Sequence, residues 1–157
     1  MMKKIIALGF VIASFGIKAQ NFGTLNTILD RLEERRGFNQ DLSGVSLDGK
    51  KFVSIKDFED RTEREFIVFT NDKVNYIELL DAKSDDKTSS KVYDGDFIRK
   101  KNIVSIRADK LEGKKIPIAV TKTLMLNREK EILYLIDINT KQRWIDEQSI
   151  TKQPVKK

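Results

Sequence analysis

Apolar residues recur with a helical period near the start of the chain. Leu25, Ile28, Leu29 and Leu32 stand at positions i, i+3, i+4 and i+7, which lie on one face of a helix. Charged residues fill the opposite face, and Thr24 is suited to cap the N-terminus. This pattern predicts an amphipathic helix over residues 24–36.

Beyond residue 42, apolar and polar residues alternate with the period of two that is typical of strands. Turn residues separate the alternating segments at hairpin spacing. Asp48-Gly49 predicts a type I′ turn that pairs 42–47 with 50–55. Residues 82–90 are predicted to be a loop, and 91–93 is predicted to pair with 97–99 across a turn at 94–96. The remaining predicted strands are 65–70, 73–81, 102–108, 116–126, 131–138 and 142–145.

These elements predict an α+β fold that is mainly antiparallel β. We expect one domain in which the N-terminal amphipathic helix packs on a curved sheet, or on a partly closed barrel, of about seven to nine short strands. Residues 132–136 are apolar at consecutive positions, which indicates a strand covered on both faces. The layout is similar to cystatin-like or calycin-like architectures.

The first 19 residues have the order of charge and hydropathy that is typical of a secretory signal peptide. Lys3 and Lys4 precede an uncharged segment, residues 5–17, and polar residues follow it. A helix of 13 residues spans about 20 Å, whereas the hydrocarbon core of a bilayer is about 30 Å thick. We therefore predict cleavage near Ala19-Gln20, no transmembrane anchor, and a periplasmic or extracellular location. The predicted organisation is a signal peptide at 1–19, a globular domain at 20–150 and a disordered basic tail at 151–157.

The net charge of the whole chain is +6, from 30 basic and 24 acidic residues. Three of the basic residues lie in the predicted leader and three in the predicted tail, so the body from 20 to 150 has 24 basic and 24 acidic residues. Binding of nucleic acid requires an excess of positive charge on the folded surface. The body has none, and we expect no nucleic-acid partner.

Histidine and cysteine are both missing from the sequence. Their absence excludes a Ser-His-Asp or Cys-His nucleophile, zinc sites that contain histidine or cysteine, and iron–sulfur clusters. No sequence motif indicates a metal or a cofactor. The catalytic chemistry that remains is a pair of carboxylates or a Ser–Lys dyad, and no motif marks either, so the sequence favours a protein that is not an enzyme.

Several charged residues interrupt the apolar alternation of the predicted strands. If alternation is strict, these side chains point toward apolar surface and must pair with each other or face a polar cavity. The hypothesis is that Lys122 and Asp137 approach within salt-bridge distance on the concave face, near Glu78 or Arg107. The alternative is that bulges or strand ends turn each side chain to solvent.

Three aromatic residues of the predicted strands are candidates for stacking against a glycan or a peptide. They are Tyr93, Phe97 and Trp144. The alternative for each is a place in the core, where strand aromatics usually lie.

Taken together, these features predict a small exported, non-enzymatic binding or interaction protein of the cell envelope or the secreted fraction. The partner is another protein, a surface polymer or a small apolar ligand. The alternatives are a small carboxylate-based hydrolase and a structural accessory of an envelope or secretion assembly. The sequence does not indicate an oligomeric state.

Overall fold

A computed structural model describes residues 19–36, 41–85 and 87–152, with side chains described at 21–31, 41–85 and 87–151. The predicted leader up to residue 18, the side chain of Leu32 and the last five residues of the predicted tail lie outside the described residues. Within these described ranges, two helices, α1 (Ala19–Arg36) and α2 (Glu147–Lys152), flank eight strands. The strands are β1 (Lys51–Asp57), β2 (Arg61–Thr70), β3 (Lys73–Ala82), β4 (Thr88–Lys100), β5 (Ile103–Leu111), β6 (Lys114–Glu129), β7 (Ile132–Asp137) and β8 (Arg143–Asp146).

The eight strands form a closed antiparallel barrel in which every strand pairs with its sequence neighbours. Closure depends on β1 and β8, which share only two register pairs, Phe52 with Asp146 and Val53 with Ile145. By comparison, β2 and β3 are paired over their full ten residues. The prediction of a mainly antiparallel fold with seven to nine strands is confirmed, and the sheet closes completely.

Apolar side chains from all eight strands meet inside the barrel. They include Phe52, Ile67, Phe69, Val74, Tyr76, Val104, Ile106, Leu124, Leu126, Leu133, Leu135 and Trp144, with Tyr93, Phe97 and Val120 packed against them. Because successive side chains of a strand point to opposite faces, this set identifies the inward-facing residues of each strand.

One end of the barrel, which we call the closed end, is sealed by the loop 41–50. Leu42 and Leu47 of this loop are buried within the interior cluster. The Arg99 guanidinium donates hydrogen bonds to the backbone carbonyls of Leu42 and Val45. The Leu42 N–H donates to Asn102 Oδ1 at 2.8 Å. The loop is therefore fixed by both burial and hydrogen bonds.

The opposite end, which we call the open end, has no such cover among the described residues. The hairpin turns β1–β2, β3–β4, β5–β6 and β7–β8 lie at this end. Leu80 alternates with Tyr76 and Glu78 and so faces inward, yet 38% of its surface is exposed. An inward-facing leucine that remains accessible shows that solvent enters the barrel here.

A second apolar cluster lies on the outer face of the barrel, where α1 contributes Phe22, Leu25 and Leu29. Leu29 is fully buried, whereas Ile28 is 38% exposed. On β8, the Arg143 side chain donates to Asp30 at 2.6 Å and to the Asn26 side chain at 2.8 Å.

In the described residues α1 begins at 19, five residues before the predicted start. Among all the residues that the structure describes, no helix is long and apolar enough to cross a membrane.

The predicted hairpin at Asp48-Gly49 is wrong. Gly49 has the expected left-handed conformation, with φ of 77°, but its N–H donates to the carbonyl of Phe69 on β2. Residues 42–47 therefore do not pair with β1. Their apolar side chains fill the closed end instead, and this burial outweighs the local hairpin signal.

The predicted turn at 94–96 is also wrong, because β4 continues through it as one strand of 13 residues. The register with β5 shifts between Asp94 and Gly95, which leaves Asp109 of β5 unpaired as a β-bulge. A Cβ atom on Gly95 would lie 2.0 Å from the Arg107 carbonyl oxygen and 2.5 Å from the Ala108 Cα. Glycine at this position therefore permits a close backbone approach, and it does not mark a turn.

Candidate functional site

Polar side chains line the inside of the barrel at the open end, and we call this region the chamber. Its members are Ser54, Glu65, Tyr76, Glu78, Tyr93, Lys122, Gln142 and Trp144. Each charged member follows the inward alternation of its strand, as Glu65 does with Ile67 and Phe69. Glu65, Glu78 and Lys122 are half-buried, so the chamber is polar and remains accessible from the open end.

The carboxylates of Glu65 and Glu78 both affect the pKa of the Tyr76 hydroxyl. Glu65 and Glu78 are register partners on β2 and β3. Burial raises the pKa of the Tyr76 hydroxyl far above its usual value of 10.0, and the negative charges and hydrogen bonds of Glu65 and Glu78 raise it further. Tyr76 therefore stays neutral.

The Lys122 ammonium contacts aromatic rings. Its Nζ lies 5.0 Å from the ring centroid of Tyr76 and 5.2 Å from that of Trp144. Both distances are within the approximately 6 Å range of cation–π attraction. Among the described residues, no carboxylate forms an ion pair with Lys122 within 4.0 Å.

An amide side chain connects the chamber to the weakly paired junction of β1 and β8. Gln142 Nε2 donates to Ser54 Oγ at 3.1 Å and also to Glu65. Beyond the pair Val53–Ile145, the bond to Ser54 links β1 to the residue before β8, and the bond to Glu65 links that residue to β2. Gln142 thus holds Glu65 in place and closes the wall of the chamber.

The floor of the chamber contains a buried donor without a partner. Trp144 is fully buried, and in the described part of the chain its indole N–H has no hydrogen-bond acceptor. An unsatisfied buried donor costs about 1–3 kcal/mol. Tyr93, the other aromatic wall, stacks on Tyr76 with ring centroids 5.8 Å apart and planes inclined by 29°.

The structure places the four charged residues singled out from the sequence in three different environments. Glu78 and Lys122 lie in the chamber. Arg107 faces outward with 68% of its side chain exposed, 3.7 Å from Asp109. Asp137 is buried, and its carboxylate accepts the N–H groups of Asn139 and Thr140 at 2.8 and 3.1 Å.

The pairing of Lys122 with Asp137 is not observed among the ion pairs of the described residues. Asp137 stabilises the turn between β7 and β8, because its carboxylate accepts hydrogen bonds from the backbone N–H groups of Asn139 and Thr140. Arg107 lies outside the barrel because its neighbours Ile106 and Ala108 are the inward residues of β5. Strict alternation along β5 therefore places Arg107 on the solvent side of the barrel, and not near Lys122 in the interior.

The three aromatic candidates all face the barrel interior. Trp144 and Tyr93 belong to the chamber, whereas Phe97 contacts Phe69 edge-on at 4.9 Å, closer to the closed end. The sequence did not single out Glu65, Tyr76 or Gln142. Glu65 shares its face of the strand with Ile67 and Phe69, just as Glu78 does with Tyr76 and Val74. The same interruption of apolar alternation therefore marks Glu65 in the sequence.

Within the described residues, no group of three or more acidic side chains is arranged to hold a metal ion. No family model, no curated protein and no solved structure matches the chain.

Proposed function

We propose that this protein is an exported, non-enzymatic binding module that holds a small ligand in the chamber. The supporting observation is the asymmetry of the barrel, which is sealed at one end and lined at the other by half-buried charged groups beside aromatic rings. Concave sites that combine apolar walls with a few placed polar groups are typical of small-molecule binding. A protein partner or a surface polymer would instead use the outer surface or the rim.

The proposal includes the predicted leader and the helix that follows it. Cleavage after Ala19 would make Gln20 the first residue of the mature protein, and Gln20 is the second residue of α1. The helix would then cover the outer apolar cluster directly from the mature N-terminus. Intact mass of the protein recovered from an envelope or culture fraction tests this, and retention of residues 1–19 would contradict export with cleavage.

Trp144 provides a direct assay of the chamber because it is the only tryptophan in the chain. Titration with a panel of amino acids, hexose glycosides and fatty carboxylates should change its emission saturably for at least one class. Val120 faces the interior and is half-buried. Val120→Phe should block the response by filling the chamber.

The matched control is Ile98→Phe, an enlargement on the outer face where the side chain is 75% exposed. It should respond like the unaltered protein. Thermal unfolding of both variants shows whether either has lost its fold. An absence of any saturable response, or an equal response in a folded Val120→Phe variant, would contradict a chamber that binds ligands.

A carboxylate-based hydrolase is the second candidate, and the opposed Glu65 and Glu78 favour it. Register partners have Cβ atoms about 4.5–5.5 Å apart, which is compatible with the carboxyl separation of about 5–5.5 Å in retaining glycosidases. Aryl glycosides that release a chromophore distinguish the two functions. Release that is lost in both Glu65→Gln and Glu78→Gln would favour the hydrolase, and binding without release would favour the binding module.

A further inference from the structure

The chamber contains groups that require both kinds of hydrogen-bond partner. The Lys122 ammonium is a donor that lies over two aromatic rings, and among the described residues it forms no ion pair within 4.0 Å. Glu65 and Glu78 are acceptors with capacity beyond the Tyr76 hydroxyl and the Gln142 amide, since a carboxylate offers about four lone-pair sites. A ligand that fits must therefore accept from one side of the chamber and donate to the other.

Charge restricts the ligand further. A carboxylate would meet Lys122 but would also lie beside two glutamates, and an ammonium would meet the glutamates but would compete with Lys122 for the same rings. At short range in a partly desolvated site, each of these like-charge contacts is costly. A neutral hydroxyl group donates and accepts at once, and it brings no charge.

Resting on the proposed function, we propose that the chamber binds a neutral polyhydroxylated ring, such as one saccharide unit. Its hydroxyls donate to Glu65 and Glu78 and accept from Lys122. Its apolar C–H face packs against the half-buried ring of Tyr93, which is backed by Tyr76 at 5.8 Å. The accessible Leu80 lies at the entrance and provides further apolar contact.

Probes that share a ring and differ in charge test this inference. The neutral members are the methyl glycosides of glucose and galactose, the cationic members are glucosamine and galactosamine, and the anionic members are glucuronate and galacturonate. Trp144 emission and saturation-transfer NMR report binding. In at least one stereochemical series, the neutral ring should bind about tenfold more tightly than both charged analogues.

Two charge-removing variants should each change this ranking, one in favour of the cationic sugar and the other in favour of the anionic sugar. Lys122→Met leaves the two glutamates unopposed, and its preference should move toward the amino sugar by about tenfold or more. Glu78→Gln removes one of the acids, and its preference should move toward the uronate. Lys100→Met and Glu131→Gln make the same charge changes at exposed positions near the closed end, and neither should alter the ranking.

Tighter binding of a charged analogue by the unaltered protein would overturn the inference. So would a ranking that stays the same in both Lys122→Met and Glu78→Gln. A saturable response to an amino acid or a fatty carboxylate, with none to any of the six sugars, would overturn the saccharide and leave the binding module in place. No response to any probe would remove both.

Discussion

The two ends of the barrel interior are built from different side chains. At the closed end, Phe52 and Phe69 are fully buried with their rings edge-to-face at 5.9 Å, and the loop 41–50 covers them. At the open end, Glu65, Glu78 and Lys122 occupy equivalent inward positions and remain half-buried. Inward positions at the closed end bury apolar area and stabilise the fold, whereas those at the open end hold charged groups that remain partly exposed.

The largest effect is expected at Gly95 of β4, opposite the bulge of β5, which lies between these two regions. Gly95→Ala would place a Cβ against the backbone of Arg107 and Ala108, and backbone atoms cannot rotate away. We expect a loss of about 4 kcal/mol or more in the free energy of unfolding, measured with urea. Gly44→Ala is the control, because a Cβ there meets nothing within 4 Å. Equal stability of the two variants would show that β5 shifts freely.

Two valines that both face the interior allow a direct comparison of how much each end stabilises the fold. Val104 is fully buried near the closed end, whereas Val120 is half-buried beside the chamber. Val104→Ala should cost about 2–3 kcal/mol, from lost burial and a residual cavity, and Val120→Ala should cost less than about 1 kcal/mol. Similar losses in urea unfolding would mean that the open end supports the fold as much as the closed end does.

The seal itself depends on Arg99. Arg99→Met removes the donor that binds the carbonyls of Leu42 and Val45, and it should cost about 2 kcal/mol, in the range for hydrogen bonds from a charged donor. Hydrogen exchange should accelerate at residues 42–47 more than in β2 or β3. Arg99→Lys retains the charge but not the forked geometry, and it should be intermediate. Uniform acceleration along the chain would contradict a local seal.

The smallest effect is expected at Glu147, beyond the closed end. Burial raises the pKa of its carboxyl above 4.5, so the folded protein binds this proton more tightly than the unfolded chain does. Stability should therefore fall slightly as pH rises from about 4.5 through the raised pKa. Glu147→Gln should lack this decline, whereas the exposed Glu131→Gln should retain it. Thermal midpoints measured between pH 4 and 7 would show the difference.

The sequence predicts the strands well because period-two alternation is a local signal. It identified 73–81 and 142–145 to within one residue of their observed bounds, whereas 65–70 misses the first four residues of β2. Closure of the barrel has no local signal, since β1 and β8 lie at opposite ends of the domain. Gly95 predicts a turn because glycine is common in turns, but here it permits the close approach of β5, and only the packing against β5 distinguishes the two.

The chamber could be predicted in part. Glu78 and Lys122 stood out because each breaks an apolar alternation, and both face the interior. Glu65 follows the same pattern but was not singled out, and Gln142 reaches the chamber from outside β8 through its side chain. Asp137 also breaks the pattern, but the turn that it stabilises uses its carboxylate. Periodicity identifies the face of a side chain and does not reveal the partner that it finds.

The two-pair junction of β1 and β8 has a consequence for the order in which the chain folds. Each of the other strand pairings joins sequence neighbours through a short turn, and such hairpins form on a scale of about 1–10 μs. Joining Phe52 to Asp146 closes a segment of about 94 residues, for which chain entropy alone costs about 4 kcal/mol. Ring closure should therefore be the final and slowest step, and in the native protein this junction should be the first to open. Two chains opened there could exchange β8 and emerge as a strand-swapped dimer.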